Sequence, residues 1–161
     1  MNKLRIAIVG AGFMGLLHAR VVADSDLAEV SAIIDPNVEL GRQAAAEFGV
    51  SHFADAASAL SAGAADAYIV AAPDRLHEAV TCELLEAGKP VLLEKPMAHT
   101  LDAAKAIAKA AKRAAHACSS AIFFASIPAI ARQLPLCARA ASASRSMPAA
   151  AASPNVMSAN G

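Results

Sequence analysis

The sequence predicts a doubly wound α/β domain, in which a parallel sheet carries helices on both faces. Two observations predict this fold. Short, nearly continuous apolar runs alternate with helical stretches as far as residue 116, and a glycine-rich turn joins the first run to the first helix. Parallel strands that are covered on both faces have such continuous apolar runs. Their regular alternation with helices implies right-handed crossovers within one sheet.

The alternation begins at the N-terminus. Arg5–Val9 is an apolar run that leads into the glycine turn, and Met14–Ala23 is the helix predicted after it. The next run, Val30–Ile34, contains β-branched residues, which are common in strands. Val38–Phe48 follows as a helix that ends at Gly49, because glycine commonly ends a helix.

The same pattern continues to residue 116. Asp55–Ser61 is predicted as a shorter helix, and Ala67–Val70 and Val91–Leu93 as two further buried strands. Between these two strands, Arg75–Ala87 has apolar residues at helical spacing. Thr100–Ala115 is rich in helix-forming residues, and its threonine is a suitable N-terminal cap.

Beyond residue 116 the composition changes. Residues 117–161 are rich in Ala and Ser, contain no acidic residue and are interrupted by four prolines. Such a segment has little capacity to form a cooperative unit. We therefore expect a folded domain over residues 1–116 and an irregular tail over residues 117–161.

Composition excludes several classes of function. The formal net charge is zero, which argues against nucleic acid or an anionic membrane as a partner. No apolar run approaches the length of a membrane-spanning helix or a signal peptide. Cys82, Cys118 and Cys137 are widely spaced, so they predict neither a metal site nor a disulfide framework. A reducing, cytoplasmic location is the expectation.

The glycine turn is the most specific motif. Gly10, Gly12 and Gly15 form Gly-x-Gly-x-x-Gly between a strand and a helix, and Asp35 follows the second strand. In dinucleotide-binding domains the first glycine allows a tight turn and the second lets a pyrophosphate approach the backbone. The third glycine permits close packing, and the acid binds the adenosine ribose. The alternative is a structural turn with an incidental surface Asp.

The acid at this position also favours NAD over NADP. The Asp35 carboxylate would repel a 2′-phosphate, and the next residues, Pro36 and Asn37, provide no cation. Arg42 lies at least a helix turn away. The alternative is that Arg42 swings over, so that the site accepts both cofactors.

Two polar residues follow the predicted strands Ala67–Val70 and Val91–Leu93, and the carboxyl ends of such strands line the ligand crevice in this fold. His77 is predicted near the nicotinamide, with a surface His at a helix start as the alternative. Lys95 can reach a substrate oxygen, and burial beside a cationic ring would lower its pKa toward proton transfer. Spacing alone favours the alternative, a solvated Lys at the end of a strand. Pro96 is a candidate for a cis bond.

In this order, these motifs resemble the Gfo/Idh/MocA (glucose–fructose oxidoreductase and inositol dehydrogenase) family. The resemblance covers residues 1–116, and Glu94-Lys95-Pro96 is its most specific part. It implies hydride transfer between NAD(P) and a sugar, polyol or related carbonyl compound, with Lys95 as the catalytic lysine and His77 beside the nicotinamide. His18 matches a His that members often carry on the first helix, but a packing role alone is the favoured interpretation. The residues that the resemblance places at the cofactor are Gly10, Gly12, Phe13, Met14, Gly15, Asp35, Ala72, Pro73, His77, Glu94 and Lys95.

The chain departs from the family after residue 116. Members continue with a last strand and an α+β domain that binds substrate and forms oligomers, and this chain shows neither. Residues 117–128 can be back-translated into degenerate codons. When these codons are regrouped by one base, they can encode the family's last strand, which suggests a shifted reading frame. We expect the chain alone to be inactive and to associate through an open edge at Val91–Leu93, unless Cys118–Phe124 pairs there. A non-catalytic dinucleotide-binding module is the alternative function.

Overall fold

The computed structural model describes residues 3–117 and 122–124. Its strands are Leu4–Val9 (β1), Ala28–Ile34 (β2), Ser51–Phe53 (β3), Ala67–Val70 (β4), Val91–Leu93 (β5) and Ile122–Phe124 (β6). Its helices are Phe13–Ala23 (α1), Val38–Phe48 (α2), Ala56–Ser61 (α3), His77–Glu86 (α4) and Leu101–Ala117 (α5). A single 3₁₀ turn, Asp74–Leu76, precedes α4.

The predicted doubly wound sheet is confirmed. The strand order is β3-β2-β1-β4-β5-β6, and every neighbouring pair runs parallel. Val9 at the end of β1 lies opposite Ile34 on one side and Val70 on the other. The order in which strands are added to the sheet changes side at β1, because β2 and β3 lie on one side of it and β4 to β6 on the other. The loops after β1 and β4 therefore diverge at this point. This is the position at which such sheets bind ligands.

Two strands differ from the expectations. The three-residue strand β3 was not predicted. Ser51 is exposed, and the other two residues of the strand, His52 and Phe53, are only partly buried, so no apolar run marks it. The edge along Val91–Leu93 is not open as expected, since Ile122–Phe124 pairs with it in parallel. This is the alternative given by the apolar stretch Cys118–Phe124, although its first four residues lie outside the described part. β6 falls within the expected irregular tail, as does Ala117 at the end of α5, and the other residues of that tail lie outside the described part.

Local caps fix where the helices begin and end. The Asn37 side chain accepts a hydrogen bond of 3.1 Å from the backbone N–H of Leu40 at the start of α2. The predicted cap Thr100 accepts one of 3.2 Å from Ala103 at the start of α5. Gly49 ends α2 with a φ of 67°, as the sequence predicts.

The core has two layers, one on each face of the sheet. One layer packs α1 and α2 against side chains such as Ile8 and Ile33. The other packs α4 and α5 against side chains such as Tyr68 and Leu93. Burial of both faces explains the continuous apolar runs of the strands. Within the described ranges, no helix combines the length and the apolar character needed to cross a bilayer.

Candidate functional site

The loops that follow four neighbouring strands meet at the carboxyl edge of the sheet. The strand ladder continues one residue beyond the strands, because Gly10 donates to Ile34 O at 2.8 Å and Ala71 to Val9 O at 2.8 Å. Glu94 donates to Val70 O at 2.9 Å. The glycine turn, Asp35, the Ala72-Pro73 loop and the Glu94-Lys95-Pro96 segment are therefore held side by side.

Two glycines of the turn are required by its geometry. Gly10 has a φ of +100°, and a Cβ there would lie 2.8 Å from the carbonyl oxygen of Ala71. A Cβ at Gly15 would overlap the carbonyl oxygen of Gly10. These two positions therefore allow the tight turn and the close helix packing that the sequence predicts.

Gly12 differs from the other two because it faces open space. It is the N-terminal cap of α1 in an extended conformation, and no heavy atom lies within 4 Å of the position of an added Cβ. No side chain caps the helix, and its first backbone hydrogen bond is donated by Leu16 N–H to Gly12 O at 3.0 Å. An uncapped helix start presents free N–H groups and the positive end of the helix dipole, which suit an anion. Phe13, 81% exposed, and the partly buried Met14 flank this opening.

The Asp35 carboxylate lies beside the turn and is held by backbone donors. Its Oδ2 accepts a hydrogen bond from Ala11 N at 2.8 Å, and its Oδ1 accepts one from Asn37 N at 2.8 Å. Each carboxylate oxygen can accept a further bond, so the group remains able to bind hydroxyls. His52 Nε2 lies 2.8 Å from the Asp35 carbonyl oxygen and braces the same residue from β3.

A cleft of about 410 Å³ opens beside Asp35. Its wall is mostly apolar, with carboxylates at Asp35, Asp55 and Glu83 and one guanidinium at Arg75. The side chain of Asp55 caps α3 by accepting from Ser58 N at 2.8 Å, and this bond lowers the pKa of the carboxyl group. The lining comprises Val9, Gly10, Ile34, Asp35, Pro36, Ala54, Asp55, Ala56, Ala72, Pro73, Arg75, Leu76, Val80 and Glu83.

Arg75 was missed by the sequence reasoning, which found no cation close to the adenosine end. The structure places this residue in the same cleft as Asp35, whereas the described residues that line the cleft do not include Arg42. A signal existed, because Arg75 lies within the segment Pro73–His77 that follows a strand at the carboxyl edge.

His77 is buried rather than presented to the cleft. Its ring is 1% exposed, with Nδ1 3.0 Å from Pro96 O and Nε2 2.8 Å from Ala72 O. A carbonyl oxygen only accepts, so the ring donates to at least one of these groups. In this arrangement His77 ties the loop after β4 to the loop after β5, and both nitrogens are directed at the protein itself.

Glu94 and Lys95 point in different directions. The Glu94 carboxylate is buried, while the neighbouring Lys95 is exposed at the edge of the sheet. The Lys95–Pro96 bond is cis, as the sequence suggested. Glu94 Oε1 lies 2.7 Å from Nε2 of the fully buried His18 on α1. Thus Lys95 is accessible at the candidate site, and Glu94 is engaged beneath it.

Among residues 3–117, no three metal-ligating side chains lie close enough together to hold an ion. The other groups at the carboxyl edge suit an organic anion. The open helix start offers donors for phosphate oxygens, Asp35 offers acceptors for hydroxyls, and the cleft offers an apolar surface for a flat ring.

Comparisons with known proteins agree with this geometry. A family model described as "Oxidoreductase family, NAD-binding Rossmann fold" matches residues 4–122. The rhizopine catabolism protein MocA of Rhizobium meliloti is 34% identical over 113 residues, which are 70% of this chain and 35% of the relative. Inositol 2-dehydrogenase 1 of Saccharopolyspora erythraea is 42% identical over 100 residues, which are 60% of this chain and 30% of the relative. The chain thus spans about a third of the length of these relatives.

Solved structures give the same picture. The WlbA dehydrogenase from Bordetella pertussis, solved with NADH and UDP-GlcNAcA, superposes with a TM-score of 0.73 at 32% identity. The match covers 84% of this chain and 40% of that one. GenD2 from gentamicin A biosynthesis, solved with NAD, superposes with a TM-score of 0.70 at 27% identity, over 77% of this chain and 34% of that one.

Proposed function

Because this chain belongs to the Gfo/Idh/MocA oxidoreductase family with its NAD-binding Rossmann fold, we propose that it binds NAD along the carboxyl edge of the sheet. We further propose that it forms the cofactor domain of an enzyme that transfers hydride between the nicotinamide and a sugar, a polyol or a related carbonyl compound. The observation that carries the proposal is the uncapped start of α1 at Gly12, next to the Asp35 carboxylate.

The diphosphate is proposed to lie against the first turn of α1. Gly12 leaves this space free of side-chain atoms, and the N–H groups of Phe13 and Met14 lie in the helix's unpaired first turn. Two charged phosphates gain both these hydrogen bonds and the helix dipole. Gly10 and Gly15 contribute indirectly, because they allow the turn and the helix to pack where they do.

The adenosine half is proposed to occupy the cleft beside Asp35. Ile34, Leu76 and Val80 supply an apolar wall for the adenine, and Ala72 and Pro73 belong to the same lining. The two oxygens of Asp35 keep acceptor capacity for the ribose hydroxyls. Three carboxylates against one guanidinium give the lining a negative balance, which disfavours a 2′-phosphate and supports NAD over NADP.

Lys95 is the residue proposed to act on the substrate. When bound, the nicotinamide supplies the hydride acceptor or donor of the reaction. The Lys95 amine is exposed at the site edge, where it can donate to a substrate oxygen and exchange a proton with it. No such proton-transfer role is available to Glu94, which is buried against His18.

The substrate class is inferred from the relatives. One similar protein is an inositol dehydrogenase and another structure contains a nucleotide sugar, so both involve polyhydroxylated compounds. We propose a polyhydroxylated substrate for this chain as well, a cytoplasmic location in keeping with its few, widely spaced cysteines, and association between copies.

A second candidate is a dinucleotide-binding module without turnover. It is favoured by the burial of His77 and Glu94, which leaves Lys95 as the exposed member of these three candidate residues. Both candidates require NAD binding, and they differ only in whether a substrate is converted.

The test combines binding with turnover. NADH and NADPH are titrated into the purified protein by fluorescence, and saturable binding with a preference for NADH is expected. NAD reduction is then followed with a panel of inositols and sugars for the wild type, Lys95→Ala and the control Lys109→Ala, which alters an exposed lysine on α5. Turnover that only Lys95→Ala abolishes supports the oxidoreductase. Binding without turnover supports the module, and a folded protein that binds neither cofactor refutes both.

A further inference from the structure

A buried polar pair lies beneath the candidate site and connects two of its elements. His18 on α1 is 0% exposed and Glu94 after β5 is 5% exposed. His18 Nε2 and Glu94 Oε1 are 2.7 Å apart, although the residues are 76 positions apart in the chain. Because an ionised carboxylate only accepts, Nε2 is the donor of this bond.

The second oxygen of the same carboxylate holds the catalytic candidate. Glu94 Oε2 accepts a hydrogen bond from the backbone N–H of Lys95 at 2.9 Å. The Glu94 backbone is itself fixed to β4 through the bond from its N–H to Val70 O at 2.9 Å. The carboxylate therefore links the helix that begins at the glycine turn with the backbone that carries the Lys95 amine.

Stability alone is a weak reason for this pair. Removing a carboxylate and its hydrogen-bond partner from water costs hydration, and apolar residues of similar size often serve a core equally well. His18 Nδ1 moreover has no hydrogen-bond partner among the residues that the structure describes. A helix position that only packs, such as Val22 one turn further along α1, is filled by an aliphatic side chain.

On the premise of the proposed function, we propose that His18 and Glu94 are positioning residues for Lys95. His18 holds the Glu94 carboxylate, and that carboxylate holds the Lys95 backbone at a fixed distance from the start of α1. The resemblance places Glu94 in contact with the cofactor, whereas this proposal has it act through Lys95. Through this pair, binding of the diphosphate at the start of α1 would make the segment that carries Lys95 more ordered.

The experiment measures amide hydrogen exchange at Lys95 by NMR on the full chain, with Ile69 in central β4 as the reporter of global opening. His18→Leu removes the donor at similar volume, and His18→Gln keeps a donor near the position of Nε2. Val22→Ala is the matched control, because it weakens the packing of the same helix without touching Glu94. Each variant is measured with and without NADH.

The expected result is specific to Lys95. In His18→Leu, the protection of the Lys95 amide against exchange, relative to that of Ile69, falls about tenfold or more. A fall of this size corresponds to the loss of a hydrogen bond to a charged group. The protection stays near the wild-type value in His18→Gln and Val22→Ala. NADH raises Lys95 protection in the wild type and in His18→Gln, but not in His18→Leu.

Equal losses in His18→Leu and Val22→Ala would overturn the proposal, because the role of His18 would then be packing. If His18→Leu does not fold, Glu94→Gln provides the test. This substitution keeps the size of the side chain but replaces one of its two acceptor oxygens with an NH2 donor and removes the charge, so Lys95 protection should fall while Ile69 changes little; unchanged Lys95 protection would overturn the proposal. A wild type that does not bind NADH would refute the proposed function, and the exchange data without NADH would still decide the positioning role.

Discussion

Alanine at Gly12 and alanine at Gly15 should separate ligand binding from stability. The two positions lie in one motif, three residues apart, and have opposite surroundings. A Cβ at Gly12 would meet no heavy atom within 4 Å, whereas one at Gly15 would overlap the Gly10 carbonyl. We therefore expect Gly12→Ala to reduce NADH binding and Gly15→Ala to reduce the free energy of unfolding.

The magnitudes follow from these contacts. Gly12 has a φ of −74°, which alanine adopts without strain, so the cost is that of a poorer N-terminal cap, up to about 1 kcal/mol. At Gly15 the clash is with backbone that cannot rotate away, and forcing an extra carbon into such packing costs about 1–3 kcal/mol or more. A methyl group at Gly12 would occupy the space proposed for the diphosphate, so we expect NADH affinity to fall at least about tenfold, the equivalent of about 1.4 kcal/mol.

The assay uses urea unfolding followed by far-UV circular dichroism, together with NADH titration by fluorescence under native conditions. Gly49→Ala is a useful third variant. It removes a glycine from a left-handed position with open space around it, far from the carboxyl edge, so it should lower stability without a direct effect on NADH.

Either of two results would contradict these expectations. If folded Gly12→Ala binds NADH as tightly as the wild type, the diphosphate does not lie against the start of α1. If Gly15→Ala unfolds at the wild-type urea concentration, the close approach of α1 to the glycine turn is wrong. A loss of NADH binding in Gly49→Ala equal to that in Gly12→Ala would show that instability alone explains the effect.

Three further predictions concern single side chains. Asp35→Ala removes the acceptor of two backbone bonds, so we expect unfolding free energy to fall by about 1–3 kcal/mol and the NADH preference over NADPH to shrink, measured by urea unfolding and paired titrations. Arg75→Ala should reduce NADPH affinity about tenfold more than NADH affinity if the guanidinium can meet a 2′-phosphate, and equal effects would exclude that role. Burial raises the pKa of the Cys82 thiol, aided by Glu78 and Glu86, so its contribution to stability is complete below the ordinary thiol pKa and is lost as alkaline pH passes the raised value. Mass spectrometry should therefore show slower iodoacetamide labelling of Cys82 in the folded than in the unfolded chain at pH 8, and equal rates would contradict this.

The sequence predicted those parts of the fold that local physics determines. β4 and β5 begin and end where their apolar runs do, because both faces of each strand are buried. Gly10 and Gly15 were assigned their roles correctly, since a positive φ and a backbone contact both demand glycine. These features depend on residues adjacent in the chain, which a motif records directly.

What the sequence missed depends on distant contacts. β3 forms because Asp35 N reaches Phe53 O at 3.0 Å and because β2 offers a free edge, although the strand's own residues carry no pattern. Arg75 enters the cleft because the 3₁₀ turn Asp74–Leu76 delays the start of α4 by two residues relative to the predicted helix. A single turn of backbone thus decides which side chains face a ligand, and the apolar spacing of the helix does not report it.

The Glu94-Lys95 pair shows how one motif can hold two roles. Successive side chains of an extended segment point to opposite sides, so the residue that continues β5 turns inward and the next one turns outward. Glu94 is buried accordingly, and Lys95 is exposed. A buried carboxylate needs donors, and the structure provides them from His18 and from the Lys95 backbone itself. The alternation of the strand therefore places the inner residue where its carboxylate can hold the backbone of the outer one.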